Sequence, residues 1–168
     1  DAAGALRAVA SSGNLLEDCA AVLRQRCAAM EAGELAATIV ALGEKGLEDA
    51  SLSAACRELT ARRAALAGLP AAVLVAFAVA ATKSTAIGPC LAIVIDAALA
   101  AVPQWPAADA IRLLLAVAKA KGDFVAPDLK NALFREAAGV VAPCLSELPA
   151  AELVRLGLAA SAAVGSPA

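Results

Sequence analysis

The chain has 168 residues, the size of one domain, and 61% of them are hydrophobic although only 2% are aromatic. It contains no histidine or tyrosine, which excludes histidine-based triads and acid–base sites, and its net charge of −2 is unlike that of a strongly basic nucleic-acid module. Fifty residues are alanine, which has the highest helix propensity and a short side chain. The composition therefore predicts an all-α chain of closely packed helices, stabilised by many similar contacts between neighbours.

Helices are predicted along the whole chain, because no segment has the sustained alternation of a strand. The first is a partial helix near residues 2–11. Four later segments align without gaps as an internal repeat, over residues 30–47, 69–86, 105–122 and 148–165. The segments between them have apolar residues at i, i+3 or i+4, and i+7, which predicts amphipathic second helices beginning near Leu16, Leu52, Leu91 and Leu129.

The repeat segments start at Met30, Leu69, Trp105 and Leu148, which are 39, 36 and 43 residues apart. This spacing is typical of two-helix solenoid units. We therefore expect residues 1–168 to form a single helical-repeat domain, an α-solenoid of about four and a half stacked antiparallel helical hairpins. Because the chain begins with Asp1 rather than Met, we expect it to be a fragment or the mature part of a longer chain.

Four columns of the repeat have a physical role at a helix end or a helix seam. The second position of three repeat segments is proline: Pro70, Pro106 and Pro149. We predict these prolines at the first helical position, because the fixed φ of proline suits it. Acidic residues in the first turn, next to the positive end of the helix dipole, are Glu34, Asp109 and Glu152. Glycines expected at the C-terminal cap are Gly46, Gly122 and Gly165. The twelfth position of all four segments is alanine, and we expect a neighbouring helix to come closest there. These residues are Ala41, Ala80, Ala116 and Ala159.

One stretch, residues 64–82, has no charged residue and is long enough to be considered as a membrane span. Alanine dominates it, and Gly68 and Pro70 interrupt it near its start. The equivalent segments of the other units carry charges. We therefore predict a solenoid helix covered on several sides, and no transmembrane span.

The cysteines are odd in number and form no CxxC pair: Cys19, Cys27, Cys56, Cys90 and Cys144. Each falls in or beside an apolar helical stretch, so we predict small buried hydrophobic residues in a reducing compartment. Without histidine or paired thiols, no zinc site is expected, and no cofactor is predicted.

No Gly-rich phosphate loop occurs, so the chain is not expected to be an enzyme. Among single residues, Asp96 is expected to face solvent or a helix partner, and Trp105 to pack within a hairpin or to anchor a partner.

The candidate contact residues are cations that recur at equivalent repeat positions. Arg112 and Arg155 share one position, and Lys83 and Lys119 share another, with Lys45 one residue away. Equivalent positions of a solenoid form a stripe, which can follow a phosphate backbone. The alternative interpretation is ordinary solvated positions, with the lysines complementing helix dipoles. The second helices offer another basic face, composed of Arg24, Arg26, Arg57, Arg62 and Arg63.

Residues 34–59, ELAATIVALGEKGLEDASLSAACREL, resemble the helical hairpins of octotricopeptide and heptatricopeptide repeat proteins. These organellar families often carry a RAP domain and include FAST kinase-like relatives. The matching residues of this first hairpin are Glu34, Leu35, Ala36, Val40, Ala41, Leu42 and Gly46. The later segments match at Asp109, Leu115, Ala116, Gly122, Glu152, Leu153, Leu158 and Ala159. The resemblance implies an α-solenoid in a mitochondrion or plastid that binds RNA or is built into an organellar ribosome.

These features lead to the expectation of a non-catalytic structural subunit of an organellar ribonucleoprotein, with a mitochondrial ribosome first among the candidates and a plastid location as the alternative. Its partners would be other proteins of a large assembly and rRNA, with no small-molecule substrate. A second hypothesis is a protein-binding scaffold or an accessory subunit of an organellar membrane complex. A third is a free organellar RNA-processing factor.

Overall fold

The structure, a computed structural model, describes residues 15–44, 50–120 and 124–164. Throughout these residues the regular secondary structure is helical, with no strand, which confirms the all-α prediction. The predicted partial helix near residues 2–11 lies outside the described residues, as do Lys45 and the three glycines expected at C-terminal caps.

Nine α-helices occur in the described residues, and short 3₁₀ helices join several of them. The α-helices are α1 (Leu15–Arg26), α2 (Ala32–Glu44), α3 (Ala50–Ala61), α4 (Arg63–Leu66), α5 (Ala71–Ala81), α6 (Leu91–Leu99), α7 (Ala107–Lys119), α8 (Pro127–Val141) and α9 (Ala150–Val164). The 3₁₀ helices are Cys27–Ala29, Gly88–Cys90, Val102–Gln104 and Ala142–Glu147. Helices α2, α5, α7 and α9 are the first helices of the repeat units, and α1, α3 with α4, α6 and α8 are the second helices.

Three of the four repeat starts lie in the same local structure. Met30, Trp105 and Leu148 have extended backbone after a 3₁₀ helix, with ψ of 143°, 155° and 143°. The helix begins two residues after each of these starts, at Ala32, Ala107 and Ala150. Pro70 and Pro106 have ψ of 148° and 139°, so they are N-cap residues and not the first helical residues that the sequence predicted. The reason is that an N-cap needs extended backbone while its carbonyl accepts the first helical hydrogen bonds, as Pro70 does from Val73 and Leu74.

The acidic column is placed as predicted, because Glu34, Asp109 and Glu152 all lie in first helical turns. The alanine column is only partly as predicted. Ala80, Ala116 and Ala159 are buried, with 0%, 4% and 6% of their surface exposed, whereas Ala41 is exposed. The first three lie on helices that follow another first helix in the described chain, and Ala41 lies on α2, which is the earliest of them.

The helices contact one another in two rows. The first helices contact in chain order, α2 with α5, α5 with α7 and α7 with α9. The second helices do the same, α1 with α3, α4 with α6 and α6 with α8. Within each unit, the first helix also contacts its own second helix, as α2 does with α3, α5 with α6 and α7 with α8. The hydrophobic core therefore runs between the rows and includes fully buried Phe77, Leu91 and Leu113.

The charge-free stretch of residues 64–82 is divided between two helices. Helix α4 ends at Leu66, and α5 begins at Ala71, after the predicted interruption at Gly68 and Pro70. Several α5 side chains are fully buried within the core, which accounts for its uniform hydrophobicity. Among the described helices, none has the length and apolar character that a membrane crossing requires.

Two glycines allow the segment between α5 and α6 to approach its neighbours closely. Gly43 lies on α2, and Gly88 lies in the segment itself. A Cβ atom at Gly43 would lie 2.2 Å from Cδ1 of Ile87, and one at Gly88 would lie 2.5 Å from Cε2 of Phe124. Ile87 is fully buried. These glycines let the 82–90 segment pack directly against the end of α2 and against residues of the next unit.

Candidate functional site

Three of the predicted contact residues line one groove. Lys83, Arg112 and Lys119 surround a groove of about 220 Å³ between α5 and α7, here called the cationic groove. Its remaining lining residues are Val79, Thr82, Leu115 and Ala116, so no acidic side chain is among them. The structure thus brings together residues that are 36 positions apart in the sequence, as the repeat register predicted.

The ends of α5 and α7 position these cations. Lys83 follows the last turn of α5, where its amide donates to the carbonyl of Ala80 at 3.0 Å. Arg112 and Lys119 are seven residues apart on α7, which is about two helical turns, so they lie on the same face. The partial negative charge at each helix C-terminus favours the lysines there, as the alternative sequence interpretation also expected.

The cations of the groove are weakly neutralised within the chain. Nη1 of Arg112 lies 4.0 Å from Oδ1 of Asp109, and the Arg112 side chain is 61% exposed. Such an exposed pair contributes little, because water and salt screen it. Within the described residues, Lys83 and Lys119 have no ion-pair partner. The groove therefore presents positive charge to solvent next to an apolar floor.

The other predicted cations are not part of this groove. Arg155 is exposed on α9, next to α7, but does not line it, and Lys45 lies outside the described residues. At the repeat position of Lys83 and Lys119, α2 has an exposed Glu44. The predicted stripe is therefore restricted to α5 and α7, since the sign of the charge reverses on α2. The second-helix residues Arg24, Arg26, Arg57 and Arg63 are exposed and do not line this groove.

Arg62 has a different role from its neighbour Arg63. Its guanidinium donates to the carbonyl of Ala28 at 2.6 Å, to that of Cys27 at 3.0 Å, and to that of Met30. Its Nε donates to Oε1 of Glu58 at 2.7 Å. The donors are therefore used within the chain, where they join the end of α3 to the turn before α2. Sequence reasoning missed this role, because the carbonyls are more than 30 residues away.

The described cysteine side chains behave as predicted for small hydrophobic residues. Cys27, Cys56 and Cys90 are buried free thiols, Cys144 is half-buried, and the Cys19 side chain lies outside the described part. Sγ of Cys90 lies 3.5 Å from the carbonyl oxygen of Cys56. A hydrogen bond with Cys90, together with burial, raises the pKa of the Cys56 thiol, and burial raises that of Cys27. Among the described residues, no group of three or more cysteine, aspartate or glutamate side chains is placed to hold a metal ion.

The single residues are placed as expected. Trp105 is buried in the core, with 9% of its surface exposed, and Asp96 faces solvent on α6. A second groove, which sequence reasoning did not anticipate, lies between α8 and α9 and is lined mainly by apolar side chains. The exposed large hydrophobic residues nearby are Leu153, Val154 and Leu158.

Comparison of the chain with protein-family models, with curated proteins and with solved structures gives no match.

Proposed function

We propose that this chain is a non-catalytic α-solenoid of about four and a half antiparallel helical hairpins, acting as a structural and binding subunit of an organellar ribonucleoprotein. The mitochondrial ribosome is the first assembly to test. The solenoid is supported by two rows of helices in chain order and by the common structure of three of the four repeat starts. The organellar location rests on the resemblance of residues 34–59 to octotricopeptide and heptatricopeptide repeats.

The cationic groove is the observation that carries the RNA part of the proposal. Three side chains, two on α7 and one directly after the end of α5, present positive charge without an acidic residue among the lining. A phosphate backbone is recognised by such point charges without any base contact. The lining of the cationic groove includes no aromatic side chain, and the chain has no histidine, so aromatic stacking and histidine chemistry play no part in this proposal. RNA would be held by its phosphates, and the apolar floor at Leu115 would face the sugar edge.

The salt dependence of RNA binding tests the cationic groove. Each phosphate contact with a single strand contributes about 0.7 to the slope of log K against log salt concentration. Replacing three contacts, in the variant Lys83→Gln, Arg112→Gln and Lys119→Gln, should therefore reduce that slope by about 2. A fluorescently labelled single-stranded RNA, titrated between 50 and 200 mM salt, gives the measurement.

A matched control carries the same loss of charge elsewhere: Arg24→Gln, Arg26→Gln and Arg57→Gln. All three residues are exposed and lie outside the groove. We expect this variant to change the salt slope much less than the groove variant. Equal slopes for the two variants would show that the cationic groove contributes no more to RNA contact than the exposed arginines of the second helices, which contradicts the groove as the site.

The second candidate function is a protein scaffold that contacts no RNA, or an accessory subunit of an organellar membrane complex. The net charge of −2 and the apolar groove between α8 and α9 favour it. Sedimentation of an organelle extract, with mass spectrometry and RNA analysis of the fractions that contain the native chain, separates the two. Co-sedimentation with rRNA and ribosomal proteins supports the ribonucleoprotein, whereas co-sedimentation with proteins alone and no RNA binding supports the scaffold. A chain bound to RNA outside any ribosome supports the third hypothesis, an RNA-processing factor.

A further inference from the structure

Among the seven described residues that line the cationic groove, Thr82 alone has an uncharged polar side chain. It is half-buried, caps the C-terminal end of α5 and directly precedes Lys83. Contacts of the cations with phosphates do not distinguish RNA from DNA, because both polymers have the same phosphodiester backbone. The hydroxyl of Thr82 is therefore the group of the lining that can distinguish one sugar from the other.

The proton of this hydroxyl is already used within the chain. Oγ1 of Thr82 donates to the carbonyl oxygen of Val79 at 2.7 Å. A threonine hydroxyl has one proton and two lone pairs, so Oγ1 can still accept a hydrogen bond but has no second proton to donate. A ligand group that binds to it must therefore bring a proton of its own. The ribose 2′-hydroxyl is such a donor, and deoxyribose has none at that position.

The order of Thr82 and Lys83 along the chain matches the order of groups along RNA. In a nucleotide, the carbon that carries the 2′-hydroxyl is bonded to the carbon that carries the 3′ phosphate. A phosphate bound by Lys83 is therefore attached to a ribose that lies close to the preceding residue. Leu115 and Ala116 complete the lining on α7, and their side chains are apolar, so Thr82 is the polar partner offered to that sugar.

The face that carries the groove is open along the whole described row of first helices. Residues at two repeat positions, that of Arg112 and that of Lys83 and Lys119, are exposed or half-buried in all four helices. They are Ala37, Ala76, Arg112 and Arg155 at the first position, and Glu44, Lys83, Lys119 and Ala162 at the second. The helices that form the groove, α5 and α7, each contact a first helix on both sides. Access to the groove is therefore a property of the repeat itself and does not depend on what adjoins either end of the row.

We propose that Thr82 gives the cationic groove a preference for RNA over DNA, by accepting a hydrogen bond from a ribose 2′-hydroxyl. This inference rests on the proposed function, RNA binding by Lys83, Arg112 and Lys119. A hydrogen bond between uncharged groups changes affinity by about three- to tenfold, so the chain should bind an oligouridine more tightly than the oligodeoxyuridine of the same length by that factor. The 2′-fluoro oligouridine has a ribose-like sugar conformation but no 2′ proton, and it should bind as weakly as the deoxy form.

Fluorescence anisotropy with the three labelled oligonucleotides measures these affinities. Thr82→Val removes the hydroxyl but keeps the branched shape, and the carbonyl of Val79 still accepts from the amide of residue 82 at 3.2 Å. This variant should bind the oligouridine as weakly as the parent chain binds the deoxy form. Its affinity for the deoxy form should change less than twofold, which shows that the phosphate contacts are intact. Thr82→Ser keeps a hydroxyl and should keep the preference for RNA.

Thr38→Val is the matched control. Oγ1 of Thr38 also donates to a carbonyl of its own helix, that of Glu34 at 2.8 Å, but Thr38 lies on α2 and does not line the groove. Its substitution should leave the ratio of RNA to DNA affinity unchanged, and circular dichroism should show all variants folded.

The possible results separate this inference from the proposed function. An RNA preference that survives in Thr82→Val would overturn the role of Thr82, while the loss of affinity in the triple glutamine variant of the groove would still support RNA binding there. Equal affinity of the parent chain for the 2′-hydroxyl and 2′-fluoro oligonucleotides would also overturn it, because sugar conformation would then explain the preference. Unchanged RNA affinity in the triple glutamine variant would contradict the proposed site, and the role of Thr82 with it.

Discussion

Replacing Arg62 should destabilise the fold much more than replacing Arg63 beside it. Arg62 donates hydrogen bonds to three backbone carbonyls of the turn that connects α1 to α2, and Arg63 is exposed. Hydrogen bonds from a charged donor contribute about 1.5–3 kcal/mol each in folded proteins. The Arg62 side chain is 26% exposed, so water can replace part of each bond in the variant. We therefore take about 1 kcal/mol for each carbonyl, at or below the lower end of that range.

The ion pair with Glu58 adds little to this sum. Nη2 of Arg62 lies 2.5 Å from Oε1 of Glu58, but the pair is an i, i+4 pair at the helix surface, worth about 0.5 kcal/mol. Arg62→Met should then lower the free energy of unfolding by about 3 kcal/mol. For a chain of this size, that corresponds to a fall of about 6–12 °C in Tm. Arg62→Lys keeps the charge but loses the planar fork, and should lose about half as much.

Urea and thermal unfolding, followed by circular dichroism, measure these differences. Arg63→Met is the control and should stay within about 0.5 kcal/mol of the parent chain, as expected of an exposed surface residue. A similar loss for both variants would show that the stability change comes from general charge and not from the carbonyl contacts. A change smaller than 0.5 kcal/mol for Arg62→Met would refute the role that the hydrogen bonds assign to it.

Three further predictions concern glycine packing, a buried hydroxyl and a buried thiol. Gly88→Ala should cost about 1–3 kcal/mol in urea unfolding, because a Cβ would lie 2.5 Å from the Phe124 ring, whereas Gly139→Ala, with open space around it in α8, should stabilise by about 0.5–1 kcal/mol. Ser84→Ala should raise the unfolding free energy by about 1 kcal/mol, because its buried hydroxyl has no hydrogen-bond partner among the described residues. The pKa of Cys56 is raised above 9.0 in the folded state, so its stabilising contribution is complete below pH 9 and is lost at higher pH. Cys56→Ala should accordingly flatten the decrease of the urea midpoint above pH 9.

The repeat starts could be predicted because their signals are local. A large apolar residue followed by proline or glutamate fixes the extended link and the cap, as at Trp105 and Pro106. The sequence alone could not show whether a proline such as Pro106 is the first helical residue or the N-cap residue, since proline is compatible with both positions and only its ψ angle distinguishes them. The cationic groove was partly predictable, because the repeat register aligned Lys83 with Lys119.

Burial at the ends of the rows could not be predicted from the same register. Leu74 and Leu153 occupy one repeat column, yet the first is buried and the second is exposed, because burial depends on the helix that packs next to the column. Arg62 shows the same limit for polar residues. The adjacent Arg63 has an indistinguishable sequence context. The different role of Arg62 arises from the backbone carbonyls that the fold brings near its guanidinium.

The contact of each helix with its immediate neighbours has a consequence for how the chain loses its structure. Opening one seam exposes only the two helices that share it, so local opening costs less than complete unfolding. Helices α5 and α7 have described neighbours on both sides in their row, whereas α9 has one. Amide protons of the central helices α5 and α7 should therefore exchange with deuterium most slowly. Amide protons of α9 should exchange faster, because fewer contacts hold that helix closed.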